Sequence, residues 1–328
     1  MDVGGRASVA VAGELSLIDA VRTGDMALVK RLLQEDDDYD KRTAAFGVAV
    51  QAFSGGIAQL LLERGADPSQ CGPDELLSLR EAIDSGSPAL VAALLDYRIR
   101  GGYAESELLE MRDLARRWYE AGVEAELRRR TGSQDDLVRT RVQDDEYYGV
   151  GEPTLGGLSV RDGHGAILTD LEELLAISSS FEELMARALD HDQDHAAWGR
   201  ASILLAHRRD QETWTAAASL RTHPDPSHRL FGADLVRLID LFDDSEEEAF
   251  AGPTLDILVD WSAEERDLAV LTMVLCGLGG HAGPRAEAPS WPTPATPMPV
   301  CGAWWRRGSA HGPSSPPSPM MSLRRCSC

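Results

Sequence analysis

The sequence predicts an all-α protein, an α-solenoid of antiparallel helix pairs, and three observations carry that prediction. One pattern recurs with a period of 33 residues: superposing Ala49 on Ala82 brings Ile57 onto Leu90 and Leu61-Leu62 onto Leu94-Leu95. A short polar, Gly-containing turn interrupts each period, so a period holds two helices that bury their aliphatic faces against the next pair. From Phe181 to Leu278, six further stretches carry apolar residues at helical spacing between short polar breaks.

Taken in order, Met1–Glu14 is an N-terminal arm without the basic start and long apolar run of a signal peptide. Residues 15–130 hold the periodic part. Ala20, Leu28 and Leu32-Leu33 stand one period before Ala49, Ile57 and Leu61-Leu62, with a step of 29. Ala115, Val123 and Leu127 stand 33 beyond Ala82, Leu90 and Leu94, which predicts a fourth pair with Trp118 and Tyr119 in the turn. The small residue opens room for a neighbouring helix, and the aliphatics three or four apart fill the space between pairs. Asp25, Ser54 and Ser87 occupy equivalent places where a side-chain oxygen caps the second helix; Pro88 stands next to Ser87 at the first helical position, and Gly65 suits a left-handed helix end.

The stretch Leu60-Leu61-Leu62-Glu63-Arg64-Gly65-Ala66-Asp67-Pro68 resembles the ankyrin-repeat family. The Thr-Pro-Leu-His opening of that family is absent, and Phe53 stands where Gly24 and Gly86 stand in the other pairs. The resemblance implies a stack that binds another macromolecule through its inter-repeat loops and concave helix face. Carried onto this chain, the loops are Glu35–Lys41 and Asp67–Glu75, with Asp37, Asp38, Tyr39, Asp67, Gln70 and Asp74 as partner-binding residues. An aromatic among aspartates anchors a basic partner; the same aspartates also serve simply to keep a loop solvated.

Residues 131–163 break the helical period and read as a linker or small hairpin: Leu137–Val142 alternates, and Gly149, Gly151, Pro153, Gly156 and Gly157 punctuate the chain beyond it. Residues 164–280 return to helix, with candidates at Phe181–Leu189, His195–His207, Gln211–Arg221, Ser227–Phe242, Glu247–Trp261 and Glu264–Leu278. Paired, they place second helices near Asp192, Asp225 and Glu265. The segments Pro224–Ile239 and Glu265–Leu275 resemble the second helix of HEAT-type repeats, in which an acidic turn precedes an Arg- and Ala-bearing apolar stripe. Trp198, Trp214 and Trp261 sit at spacings expected of packing between these pairs.

Residues 281–328 change character, with ten of the seventeen prolines, three of the five cysteines, five arginines and one acidic residue, Glu287. The segment reads as a disordered Pro/Arg-rich tail, or as an out-of-frame continuation of a longer helical array. In the second case the last helix pair lacks its neighbour and exposes apolar surface near Leu271 and Leu275.

Composition narrows function. With 32 basic against 54 acidic residues the chain carries −22, which sets it against nucleic-acid backbones and anionic membranes and favours a protein with a basic surface. Cys71 and Cys276 are the only cysteines before residue 301 and lie far apart in sequence, as suits a reducing, cytoplasmic setting. The longest weakly polar run, Leu268–Gly280, is too short to span a bilayer.

Chemistry-bearing constellations are few. His191-Asp192-Gln193-Asp194-His195 puts two histidines four apart, on one face of a helix start, where they can hold a divalent ion or merely flank capping aspartates. His164, in a loop before a helix, is either functional or without special role. Asp135-Asp136 and Asp144-Asp145-Glu146 read as solvated runs in preference to catalytic carboxylate pairs, and Asp243–Glu248 as a turn plus the acid-rich first turn of a helix. Gly149-Val150-Gly151 lacks the third glycine and helix of a dinucleotide site, and neither a phosphate loop nor a nucleophile elbow occurs. The expectation is therefore a non-catalytic scaffold with no cofactor, no metal and no small-molecule substrate. A metal-dependent or other enzymatic module in residues 131–200 stands as the alternative.

Overall fold

The computed structural model describes residues 16–35, 38–72, 76–96, 100–243 and 249–281, which all lie in one unit. The expected N-terminal arm, Asp36, Asp37, Asp74 and the tail from residue 282 fall outside the described residues. The described chain is mostly helical, with fifteen α-helices and one three-stranded sheet. Among the described residues no helix is long and apolar enough to cross a membrane.

The first eight helices are α1 (Leu17–Arg22), α2 (Met26–Glu35), α3 (Tyr39–Gln51), α4 (Gly55–Glu63), α5 (Leu79–Ser85), α6 (Pro88–Leu94), α7 (Glu105–Ala121) and α8 (Val123–Thr131). Ala20, Ala49, Ala82 and Ala115 are all fully buried, and so are Leu61, Leu94 and Leu127. Consecutive pairs touch through α1 and α3, α4 and α6, and α5 and α7. Asp25 and Ser87 cap α2 and α6 by accepting from the Leu28 and Leu90 N–H groups at 2.9 and 3.2 Å, and Pro88 is the first residue of α6. Ser54 makes no such bond. Gly65 ends α4 at φ +90°.

Three further local expectations change. In α2 the buried residues are Val29 and Leu33, with Leu28 and Leu32 only partly covered. The helix is thus turned by one residue, about 100°, relative to α4 and α6. The fourth turn sits at Gly122, and Trp118 and Tyr119 belong to the last turns of α7. The loop expected at Glu35–Lys41 is shorter, because Asp38 caps α3 and Tyr39 already starts it. Phe53 adopts φ +54°, close to Gly24 at +69° and Gly86 at +72°; the geometry of the turn outranks the side chain's preference.

The hairpin expected in residues 131–163 is present and gains a third strand: β1 (Val138–Gln143), β2 (Gly149–Leu155) and β3 (Leu158–Ser159) pair antiparallel in that order, with Val142 opposite Val150. Its loops are packed inward. Asp144 and Asp145 are buried, contrary to the solvated run expected of them. Asp144 accepts from Ser87 Oγ at 2.6 Å, the Ala89 N–H at 2.7 Å and Arg161 at 3.0 Å, tying the hairpin to the start of α6. Asp145 accepts from the Tyr147 and Tyr148 N–H groups at 2.6 and 2.8 Å, which orients the buried Tyr148 ring onto Gly199. Beyond β3, the Arg161 N–H reaches the Ser85 carbonyl at 2.9 Å, where Gly86 leaves no room for a Cβ.

The remaining helices are α9 (His164–Leu174), α10 (Phe181–Leu189), α11 (Ala196–Ala206), α12 (Gln211–Ser219), α13 (Pro226–Leu241), α14 (Ala251–Glu264) and α15 (Leu268–Leu278). α11 packs on both α9 and α13, and α13 on α15; α10, α12 and α14 cover them pairwise. The caps of α11, α13 and α15 are His195, Asp225 and Asp267, three residues and two residues past the expected starts in the first and last cases. Trp198 and Trp261 are buried and Trp214 partly so, each with its indole N–H satisfied, by Asp234, Glu265 and Thr254 respectively. Buried Glu172 joins α9 to α7 and α10 through Arg116 at 2.6 Å and Arg187 at 2.8 Å. Leu271 and Leu275 are half-buried; the large apolar residue exposed on α15 is Leu268, at 70%.

Candidate functional site

The two expected partner-binding loops are brought near one another by contacts of α3 with the end of α4. The Asp67 N–H donates to Thr43 Oγ1 at 2.9 Å, and Arg42 donates to the Arg64 carbonyl at 2.7 Å. Tyr39 lies against Gly65 and remains 64% exposed. The neighbouring polar groups have local work. Asp38 accepts from the Asp40 and Lys41 N–H groups at 3.1 and 3.2 Å as a helix cap. Asp67 accepts from Ser69 N–H, Ser69 Oγ and Gln70 Nε2 at 3.1, 2.7 and 2.9 Å. Asp37 and Asp74 lie outside the described residues. What this surface presents outward is a tyrosine ring among capping carboxylates.

A second constellation forms where α7 and α8, the sheet and the turn before α11 converge. His191 and His195 are not on one helical face, as expected from their spacing: residues 191–195 form a turn, and His195 caps α11. The turn is held to β2 by the Gly149 N–H, which donates to the Asp194 carbonyl at 3.1 Å. It stacks the two imidazoles with centroids 3.6 Å apart and planes 5° from parallel. Asp162, which sequence spacing does not single out, joins them, so that one ligand-type atom from each residue lies within 4.8 Å of the others.

Two features argue against reading this triad as a metal centre. His195 Nδ1 accepts the Ala197 N–H at 3.0 Å, which assigns the proton to Nε2, and Nε2 donates to Asp162 Oδ1 at 2.9 Å. A metal on Nε2 would move that proton to Nδ1, against the Ala197 N–H. In addition, lone pairs lie in the ring planes, and parallel rings 3.6 Å apart cannot aim theirs at one ion. The arrangement is a stacked, hydrogen-bonded pin. Burial opposes ionisation of Asp162, but the His195 N–H and the Gly151 N–H at 2.7 Å outweigh it and lower its pKa. Burial lowers that of His191, with His195 adding to the effect.

His164 is neither in a loop nor exposed. It is the first residue of α9, 1% exposed, and stacked on Trp118 with centroids 4.6 Å apart. Its Nε2 lies 2.9 Å from the Ile83 carbonyl and carries the proton, while Nδ1 has no hydrogen-bond partner. Burial drops its pKa to about 4. His164 lines a cleft of about 570 Å³ with Trp118, Tyr119, Asp162, Asp190 and His191. Tyr119 donates to Asp190 at 3.1 Å, and burial, then the Asp190 carboxylate, raises its phenol to about 12. Residues from α7, the sheet, α9 and the turn before α11 thus share one concave surface. Among the six residues named, only 118/119, 162/164 and 190/191 were near one another in sequence.

No protein-family model matches the chain, and no curated protein matches it.

Proposed function

We propose that the chain is a non-catalytic protein–protein interaction scaffold of the cytoplasm, an α-solenoid in which ankyrin-like pairs are followed by HEAT-like pairs. The observation that carries this reading is the equivalent burial of Ala20, Ala49, Ala82 and Ala115, which recur at steps of 29, 33 and 33 residues and are each fully enclosed. Four small residues enclosed at the same place in four successive pairs are what a stack requires, since each pair covers the face the previous one leaves open. The contacts of α11 with α9 and α13, and of α13 with α15, support the same arrangement in the second half. The partner is a protein with a basic surface, given the −22 charge. Tyr39, flanked by Asp38, Asp67 and Gln70, is the anchor on the first array, and neither nucleic acid nor membrane competes for it.

Affinity purification of the tagged chain from its native host, alongside Tyr39→Ala, tests the reading. The expected result is a partner retained by the wild type and lost or weakened in the variant. Failure of the wild type to retain any protein refutes the scaffold reading. Retention unaffected by Tyr39→Ala removes the loop assignment alone.

A further inference from the structure

We propose that the open edge of β1 docks an extended segment of a partner protein, which joins the sheet as an added antiparallel strand. This goes beyond the helix-pair reading, because it depends on the sheet alone. β1 stands first in the sheet order and pairs only with β2, so its other side is an edge. The direction of its main-chain groups follows from β2. There the Gly149 N–H donates to the Asp194 carbonyl at 3.1 Å, and the Gly151 and Pro153 carbonyls accept from the Asp162 and Val160 N–H groups at 3.0 and 3.2 Å. These three residues turn their backbone groups away from β1. Opposed residues of an antiparallel ladder either exchange both bonds or both point outward. Gln143, Arg141 and Arg139, which stand opposite Gly149, Gly151 and Pro153, therefore direct their N–H and carbonyl groups to the open side. Among the described residues, nothing hydrogen-bonds the main chain of Arg139 or Arg141. A regular strand with such an unpaired edge is a template for another strand.

The devices that ordinarily guard an edge are missing from β1. It has no proline and keeps an unbroken register from Val138 to Gln143. Its arginines lie toward α8 and the turn before α11, where Arg139 pairs with Glu124 at 2.7 Å and Arg141 pairs with Asp192. The side chains state what the added strand carries. Residues opposite Val138 and Thr140 would stand in non-hydrogen-bonded pairs, where side chains approach most closely. Val138 is 59% exposed and Thr140 is exposed, so β-branched or aromatic residues suit every second position. On the opposite face, Glu124 serves both Arg128, at 3.0 Å, and Arg139, which leaves one carboxylate between two guanidiniums. An acidic residue opposite Arg139 complements that surplus, against the overall charge of −22. A second copy of this chain fits poorly: the two antiparallel registers of fullest overlap set Arg139 opposite Arg141, or Arg141 opposite itself.

Hydrogen exchange of the free chain is the first test. The Arg139 and Arg141 amides should exchange freely, while those of Thr140 and Val142, bonded within the ladder, are protected. Protection of Arg139 and Arg141 in the free monomer shows that the chain covers its own edge and overturns the proposal. The full chain is then titrated with a short end-blocked peptide alternating valine and glutamate, and with its fully N-methylated version, which keeps the side chains and loses the donors. Only the unmethylated peptide is expected to bind. Arg139→Pro removes an outward donor without breaking a ladder bond and should weaken binding about fivefold to tenfold. Arg139→Ala keeps the N–H and should weaken it by no more than about twofold. Absence of binding, equal binding of the N-methylated peptide, or an Arg139→Pro protein that binds like the wild type overturns the proposal; the peptide pair decides even if that variant fails to fold. Dimerisation of the free chain that Arg139→Pro abolishes assigns the edge to a second copy and overturns the partner assignment. If the wild type binds the peptide but captures no protein from its host, the scaffold reading falls and this one stands.

Discussion

Gly199→Ala separates packing from helix propensity at one atom. In the interior of a helix an alanine ordinarily gains about 1 kcal/mol over glycine. At Gly199, in α11, the added Cβ would come under 3.0 Å from Cζ, Cε1 and Oη of Tyr148. That ring cannot readily retreat: it is buried, and the Tyr147 and Tyr148 N–H groups are both held by Asp145. Overpacking of this kind costs about 1–3 kcal/mol, and with no space to relax the upper half applies. Subtracting the propensity gain leaves a net loss of about 1–2 kcal/mol. For a unit of this size that corresponds to a fall of roughly 2–8 °C in Tm. Gly252, in α14, supplies the control, since a Cβ there meets nothing within 4 Å; Gly252→Ala should be neutral or stabilising by up to about 1 kcal/mol. Urea unfolding monitored by circular dichroism, with Tyr148→Leu added to relieve the clash, completes a double-mutant cycle. A Gly199→Ala protein as stable as Gly252→Ala, or a cycle without coupling, would refute the claim that Tyr148 pins the sheet to α11.

Other consequences can be checked in the same way. Leu61→Ala, which empties a fully buried site between α4 and its neighbours, should cost about 2–5 kcal/mol in urea unfolding. Phe53→Gly should stabilise by about 0.5–1 kcal/mol, because the exposed ring loses little while its left-handed backbone strain is relieved. On the acid side, His164 titrates near 4 in the fold against 6.5 unfolded, so the stability it supports is complete above pH 6.5 and lost as pH falls through about 4. That shift amounts to about 3 kcal/mol, and His164→Phe should flatten the pH dependence of unfolding in this window. Burial disfavours the Glu265 carboxylate, but Arg229 and the Asp267 and Arg266 N–H groups outweigh it and lower its pKa from 4.5 to about 2, so a second loss sets in as pH falls through that range. Adding Zn²⁺ should leave the melting temperature unchanged, and His191→Ala should not alter that response; stabilisation that depends on His191 would show that the stacked rings splay to admit an ion.

The helical character of the chain and the enclosure of its recurring alanines were legible in sequence because both depend on spacings of a few residues. Ala49 and Ala82, or Leu61 and Leu94, meet equivalent neighbours whatever else the chain does. The caps at Asp25 and Ser87 and the start of α6 at Pro88 are local in the same sense. Three things were hidden. Asp144 looked like part of a solvated run because its donors, Ser87 and Ala89, lie more than fifty residues away. His191 and His195 looked like a helical pair because spacing alone does not reveal a turn held by Gly149. Asp162 offered no signal at all until the sheet carried it to His195.

What the sequence determined by itself is therefore periodicity: where helices form, which face is apolar and which small residues must be enclosed. These stem from the geometry of a single turn of helix, repeated. The tertiary structure alone decided how residues 131–163 wedge against α6 and α11, which acidic groups are buried, and that Trp118, Asp162, His164 and Asp190 share one cleft. Those outcomes depend on donors and acceptors meeting across long loops, and no local pattern records which partner a buried polar group will find.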